Sequence, residues 1–136
     1  MSLLVSGCRY ENCRVEEAKD FSSGSPVTDS VVQSIIESLP KDDLSWFYVR
    51  GGDIFEPENV AQARVLLNRV KSARPLSKVA VWSGHTYEQL VTSDFYRSIL
   101  RCIDVLVGVA TGLSHQQMID IPASLNSGVV INYASI

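Results

Sequence analysis

Apolar positions along this chain fall into short unbroken runs and into sets that recur every three or four residues, the mark of strands alternating with helices. Leu3 to Ser6 reads as a short buried strand. Arg14 to Pro26 is charged and then rich in serine and glycine (Ser22, Ser23, Gly24, Ser25), an excursion and not a core element. Thr28 is placed to cap a helix in which Val31, Val32, Ile35, Ile36 and Leu39 share a face, and Pro40 with Lys41-Asp42-Asp43 ends it. Trp46 to Val49 predicts a second strand that runs into Arg50-Gly51-Gly52-Asp53. Pro57 opens a second helix with Val60, Ala63, Leu67 and Val70 on its apolar side, closed before Pro75. Lys78 to Trp82 predicts a third strand, followed by Ser83-Gly84-His85-Thr86 and a helical stretch from Tyr87. Ile103 to Val107 is the strongest strand signal, and Met118 to Ile121 and Val129 to Tyr133 read as two shorter strands.

Such alternation predicts an α/β domain with a mostly parallel sheet covered by helices. Right-handed crossovers then line up the loops after Ser6, Val49, Trp82 and Val107 along one rim. Those loops carry Cys8 and Cys13, Gly51-Gly52-Asp53, Ser83-Gly84-His85 and Gly108, so every unusual cluster falls on one edge. Convergence of that kind points to a site. Trp46 and Trp82 flank strands and are expected in the core.

Composition narrows the class. The 136 residues suit one domain spanning 1–136, with 46% apolar and 20% charged residues and a net charge of −3. A pI near 5.3, with the basic residues scattered, argues against a nucleic-acid footprint. No apolar stretch approaches a membrane span, and three cysteines with no export signal fit a reducing cytoplasm.

Cys8 and Cys13 leave the end of the first strand five positions apart, where thiolates suit a metal or an iron–sulfur site. Such sites take four ligands, or three with one position open, and the chain offers only Cys102 besides. Cys102 precedes the strand from Ile103, toward the opposite end from the rim, and is expected to be a small buried hydrophobe. Zinc or a cluster shared between two chains, with His85 contributing, is an alternative; free thiols on a shortened loop are the simpler reading. Gly51-Gly52-Asp53 allows close backbone approach to a ligand with a carboxylate for an ammonium group, though a lone Gly-Gly-Asp also marks an ordinary turn. His85 and His115 read as loop and surface residues.

In order along the chain, Leu4-Val5-Ser6-Gly7-Cys8, Phe47-Tyr48-Val49-Arg50-Gly51-Gly52-Asp53, Phe55-Glu56-Pro57-Glu58-Asn59, Val81-Trp82-Ser83-Gly84, Ile103-Asp104-Val105-Leu106-Val107 and Gly112-Leu113-Ser114-His115-Gln116-Gln117 resemble the anaerobic ribonucleotide reductase activating proteins, a branch of the radical S-adenosylmethionine enzymes. The resemblance implies a truncated, radical-SAM-like partial (β/α) barrel. It also implies a [4Fe–4S] cluster on three cysteines spaced C-x3-C-x2-C, with S-adenosylmethionine chelated to its fourth iron. By the same resemblance Gly51, Gly52, Asp53, Ser83 and Gly84 bind the cofactor, and the partner is a reductase that receives a glycyl radical. This chain departs from the pattern: its loop is C-x4-C, two residues shorter, Arg14 follows Cys13 where the family has an aromatic residue, and Val107-Gly108 stands where it has Asp-Gly.

Three functions follow as expectations. The first is a silent relative that has lost the cluster, holds no cofactor, and binds a protein partner or a second copy of itself, with the sheet edge near Val105 to Val109 as a self-association surface. The second is an active activase with an unorthodox cluster. The third is a protein that keeps the pocket for a nucleotide or S-adenosyl ligand without redox chemistry.

Overall fold

The computed structural model describes residues 2–5, 27–109 and 116–133. Strand β1 (Ser2–Val5) is followed by α1 (Asp29–Ser38), β2 (Ser45–Gly51), α2 (Val60–Ala73) and β3 (Ser77–Ser83). Then come α3 (Tyr87–Val91), α4 (Asp94–Leu100), β4 (Val105–Val109), β5 (Gln116–Asp120) and α5 (Ile121–Ser127).

Thr28 caps α1 as expected, its hydroxyl accepting from the Val31 N–H at 3.3 Å. Val32, Ile35, Ile36 and Leu39 are buried, whereas Val31 turns partly to solvent. Leu39 takes an extended conformation, as a residue before proline must, and the helix stops there. Helix α2 starts later than the proline suggested: Pro57 lies in the turn that precedes it, and Leu66 joins Ala63, Leu67 and Val70 on its buried side. The stretch from Tyr87 is two helices, because Ser93 starts a new cap by accepting from the Tyr96 N–H. Helix α5 was not foreseen. Asp120 caps it, Pro122 sits in its first turn, and Gly128 closes it at φ 79°. The expected strand Val129–Tyr133 reduces to one bridge, Asn132 to Ile119, along the outer side of β5.

The sheet runs in the order β1-β2-β3-β4-β5. The first three pairings are parallel and β4–β5 is antiparallel, so the sheet is mixed. Only six residues separate β4 from β5, too few for the crossover that a parallel return requires. The ladder is open among the described residues, with no pairing of β5 to β1. Strand β4 is interior, flanked by β3 and β5, so Val105–Val109 is not the free edge expected of it.

Sequential strand order with right-handed crossovers sends the connecting helices to one side. The main core lies there: Phe47, Val49, Val79, Val81, Leu106 and Ile119 of the sheet pack on Ile35, Leu67, Val70 and Ile99 of the helices. The other face is aromatic. Ala80, Val105 and Val107 are bordered by Trp46, Tyr48, Trp82 and Tyr133, each only partly buried. Trp46 and Trp82 therefore belong to this second face and not to the main core, because they alternate with Phe47 and Val81 along their strands. Trp46 stacks on Tyr48 at 6.1 Å, and the Arg50 guanidinium lies 5.1 Å over the Trp82 ring.

Candidate functional site

The C-terminal ends of β2 and β3 lie side by side, and the residues just beyond them meet at one carboxylate. Asp53 is 1% exposed. Its Oδ1 accepts from the Phe55 N–H at 2.9 Å, and the Ser83 hydroxyl lies 3.0 and 2.8 Å from its two oxygens. Oδ2 also accepts from the Gly84 N–H at 2.8 Å and faces His85 Nδ1 at 3.1 Å. Ser83 Oγ accepts in turn from the His85 N–H at 3.0 Å. A carboxylate with this many donors is fixed in one orientation by the two loops around it.

Asn59 completes the turn from the other side. It precedes α2 without a side-chain cap and instead donates its amide to the Asp53 carbonyl oxygen at 2.9 Å. Gly108 has a steric role across the sheet. A Cβ there would lie 3.3 Å from the Ser83 carbonyl oxygen and 3.6 Å from that of His85, so a larger residue would press the loop back from β4.

His85 is the titratable group of the cluster. Burial pulls its pKa down, but the hydrogen bond it donates to Asp53 and the charges of Asp53 and Glu56 outweigh it, leaving the imidazole above its ordinary 6.5. Since Oδ2 can only accept, Nδ1 carries the proton. The ring packs near Phe55 at 5.9 Å and Tyr96 at 6.4 Å. Glu56 is 4% exposed, and ligand atoms of Asp53, Glu56 and His85 lie within 4.8 Å of one another. That geometry is compact enough for a cation. However, both Asp53 oxygens already accept from protein donors, and a metal would have to displace them.

Of the residues singled out in the sequence, Asp53, Ser83 and Gly84 come together directly, and Gly51 and Gly52 lead into them from β2. Glu56 and Asn59, which the sequence reading left out of the site, join them, and so does His85, placed on the rim by sequence but read there as a loop and surface residue, because its ring turns inward onto Asp53. Cys8, Cys13 and His115 lie outside the described residues. Cys102 sits ahead of β4, at the opposite end of that strand from Gly108, as expected. It is 8% exposed, with its thiol 3.4 Å from Asn68 Oδ1 of α2. Burial raises its pKa, Lys71 opposes and Asp104 adds, so this thiol favours the protonated form.

Comparison with known proteins gives the class first: residues 1–127 match the family model of the 4Fe-4S single cluster domain. The anaerobic ribonucleoside-triphosphate reductase-activating proteins of Pasteurella multocida and Vibrio cholerae are 30% and 31% identical to it over 110 residues, 78% of this chain and 70% of theirs. The protein of that name from Enterobacteria phage T4 is 24% identical over 107 residues, 77% of this chain and 66% of its own. The chain belongs to the family of anaerobic ribonucleoside-triphosphate reductase-activating proteins. No solved structure matches it.

Proposed function

We propose that this chain is an activating-protein scaffold that has lost the [4Fe–4S] cluster and works by binding a protein partner, a reductase or another enzyme. One observation carries the reading. Cys102 is spent in the core at the far end of β4, which leaves Cys8 and Cys13 as the thiols near the first loop. A site-differentiated cluster needs three cysteines from one chain, so the donor set falls one short. No step of radical chemistry is therefore derived for this protein. The rim still supports binding, because the loops after β2 and β3 are locked together through hydrogen bonds to Asp53.

Anaerobic reconstitution with iron and sulfide, followed by iron counting and an absorption spectrum, tests the reading. Colourless, iron-free protein is expected. About four irons per chain or per dimer, with absorbance lost in Cys8→Ala and Cys13→Ala, would restore an active, S-adenosylmethionine-dependent activase. The match to a cluster domain over residues 1–127 favours that second reading.

A third reading keeps the pocket for a nucleotide or S-adenosyl ligand without redox chemistry. Gly51, Gly52, Asp53, Ser83 and Gly84 would then meet the ligand largely through backbone groups, since the Asp53 carboxylate is occupied within the fold. Ligand at 100-fold over Kd would stabilise the protein by about 2.7 kcal/mol. A flat thermal-shift response to S-adenosylmethionine and nucleotides leaves protein binding as the function.

A further inference from the structure

Helices α1 and α2 end close together where the strands enter the sheet, away from the Asp53 rim. Leu39 closes α1 ahead of β2, and Ala73 is the last residue of α2 ahead of β3. Between them lies an open groove of about 820 Å³, within the size range of small-molecule sites. Arg74 forms part of its wall and, at 8% exposed, is the one buried cation among the described residues. Buried charges are normally paired. No carboxylate meets this guanidinium among the described residues.

Capping accounts for two of the five N–H groups that a guanidinium carries. Nε donates to the Leu39 carbonyl oxygen at 2.9 Å and Nη1 to that of Ala73 at 2.9 Å, so one side chain serves a terminal carbonyl of each helix. The other N–H groups, both of those on Nη2 included, have no partner among the described residues. No fully buried side-chain nitrogen is orphaned there, so Nη2 opens outward, and the groove is the space that Arg74 lines.

The rest of the lining is basic. Lys41 and Ser72 are exposed, and neither has an ion pair or a side-chain hydrogen bond among the described residues. Arg69 uses only Nη1, on an Asp29 side chain that is 99% exposed, a contact that solvent weakens. Glu37 is the one acid of the lining, and it accepts from Gln33 Nε2 at 3.2 Å. Lys41, Arg69 and Arg74 therefore outnumber the acids of the groove on a chain whose net charge is −3.

We propose that this groove binds a small molecule through a di- or triphosphate group. Arg74 offers the planar donor pair that phosphate oxygens accept, held rigid by its two capping bonds. Lys41 adds a point charge from the α1 side, and Arg69 and the Ser72 hydroxyl add donors from α2. Cations on both sides of the groove suit a chain of phosphates better than a single one. Ile36 gives the groove an apolar patch for the group that the phosphates carry. The site is separate from the rim and does not depend on whether the first loop holds iron.

Titration of the full chain with inorganic pyrophosphate, followed by 15N NMR without magnesium, tests it. Shifts should centre on the ends of α1 and α2 and on the Arg74 Nε signal. Affinity should fall as salt is raised from about 0.1 M to 1 M, which shortens the screening length from about 10 to 3 Å. Orthophosphate, with less charge, should bind more than about tenfold less tightly. Lys41→Glu with Ser72→Asp should weaken pyrophosphate binding by more than about tenfold, because it sets negative charge against the ligand. Both positions are exposed, so this variant should keep the wild-type circular dichroism, whereas Arg74→Lys also removes a cap. Arg101→Glu, exposed on α4 outside the groove, should leave the affinity unchanged. Tighter binding of ATP than of pyrophosphate assigns a nucleotide, and equal binding assigns the phosphates alone. Absence of shifts at millimolar pyrophosphate, shifts centred on the rim, equal affinity for orthophosphate, or affinity untouched by Lys41→Glu with Ser72→Asp overturns the proposal.

Discussion

At the scale of single residues, Asp53 organises the rim. Its acceptors take the Phe55 and Gly84 amides and the Ser83 hydroxyl in a site closed to water. Asp53→Asn keeps the shape but replaces one acceptor oxygen with a donor that faces other donors. The loss should be about 1–3 kcal/mol, read as a lower urea midpoint at an unchanged m-value. In the same variant the His85 titration, followed by NMR, should move back toward 6.5, because the hydrogen bond and the charge that raise it are removed.

His85 also makes stability depend on pH. Its folded-state pKa is raised above the unfolded 6.5, so the folded state binds the proton more tightly. The stabilisation is fully present below 6.5 and is lost as pH rises through the raised folded value. Thermal midpoints of wild type and His85→Gln, compared between about pH 5 and 8, should therefore differ most at the acid end and converge toward the alkaline end. A difference that grows with pH would mean that Asp53 does not hold the imidazolium.

Among the elements, α5 is the instructive case. Asp120, Pro122 and Gly128 form a complete start and stop signal, yet the apolar run through Ile121 read as strand because so short a helix shows barely two turns of periodicity. The caps therefore carry much of its local stability. Asp120→Ala should cost about 1 kcal/mol through the lost bond to the Ala123 N–H. Gly128→Ala should cost about 1–2 kcal/mol, since φ 79° strains any Cβ although nothing crowds it. Chemical denaturation of both variants checks these values. Larger losses would mean that α5 holds the β5 side of the sheet in register.

For the whole molecule, the two faces of the sheet differ in consequence. Phe47 is fully buried under the helices, and Phe47→Ala should cost about 3–5 kcal/mol. Its neighbour Trp46 stands half-buried on the aromatic face, where Trp46→Phe should cost less than about 1.5 kcal/mol. Equal losses at the two positions in denaturation curves would show that the aromatic face is as tightly packed as the core. Among the described residues no helix is long and apolar enough to cross a membrane.

Local pattern determined much of this protein by itself. The cap at Thr28, the buried sides of α1 and α2, the first four strands and the burial of Cys102 were legible because each depends on neighbours within a turn or on alternation along one strand. The order of motifs also carried the family. Tertiary structure decided the rest. Which side of β2 and β3 the helices cover separates Phe47 from Trp46, and strand periodicity cannot tell those sides apart when both are apolar. The antiparallel return of β5 follows from the brevity of its connection, and it turned an expected edge into an interior strand. The union of Asp53, Ser83, Gly84 and His85 spans about thirty residues of chain, and only the parallel pairing of β2 with β3 brings them within hydrogen-bonding distance.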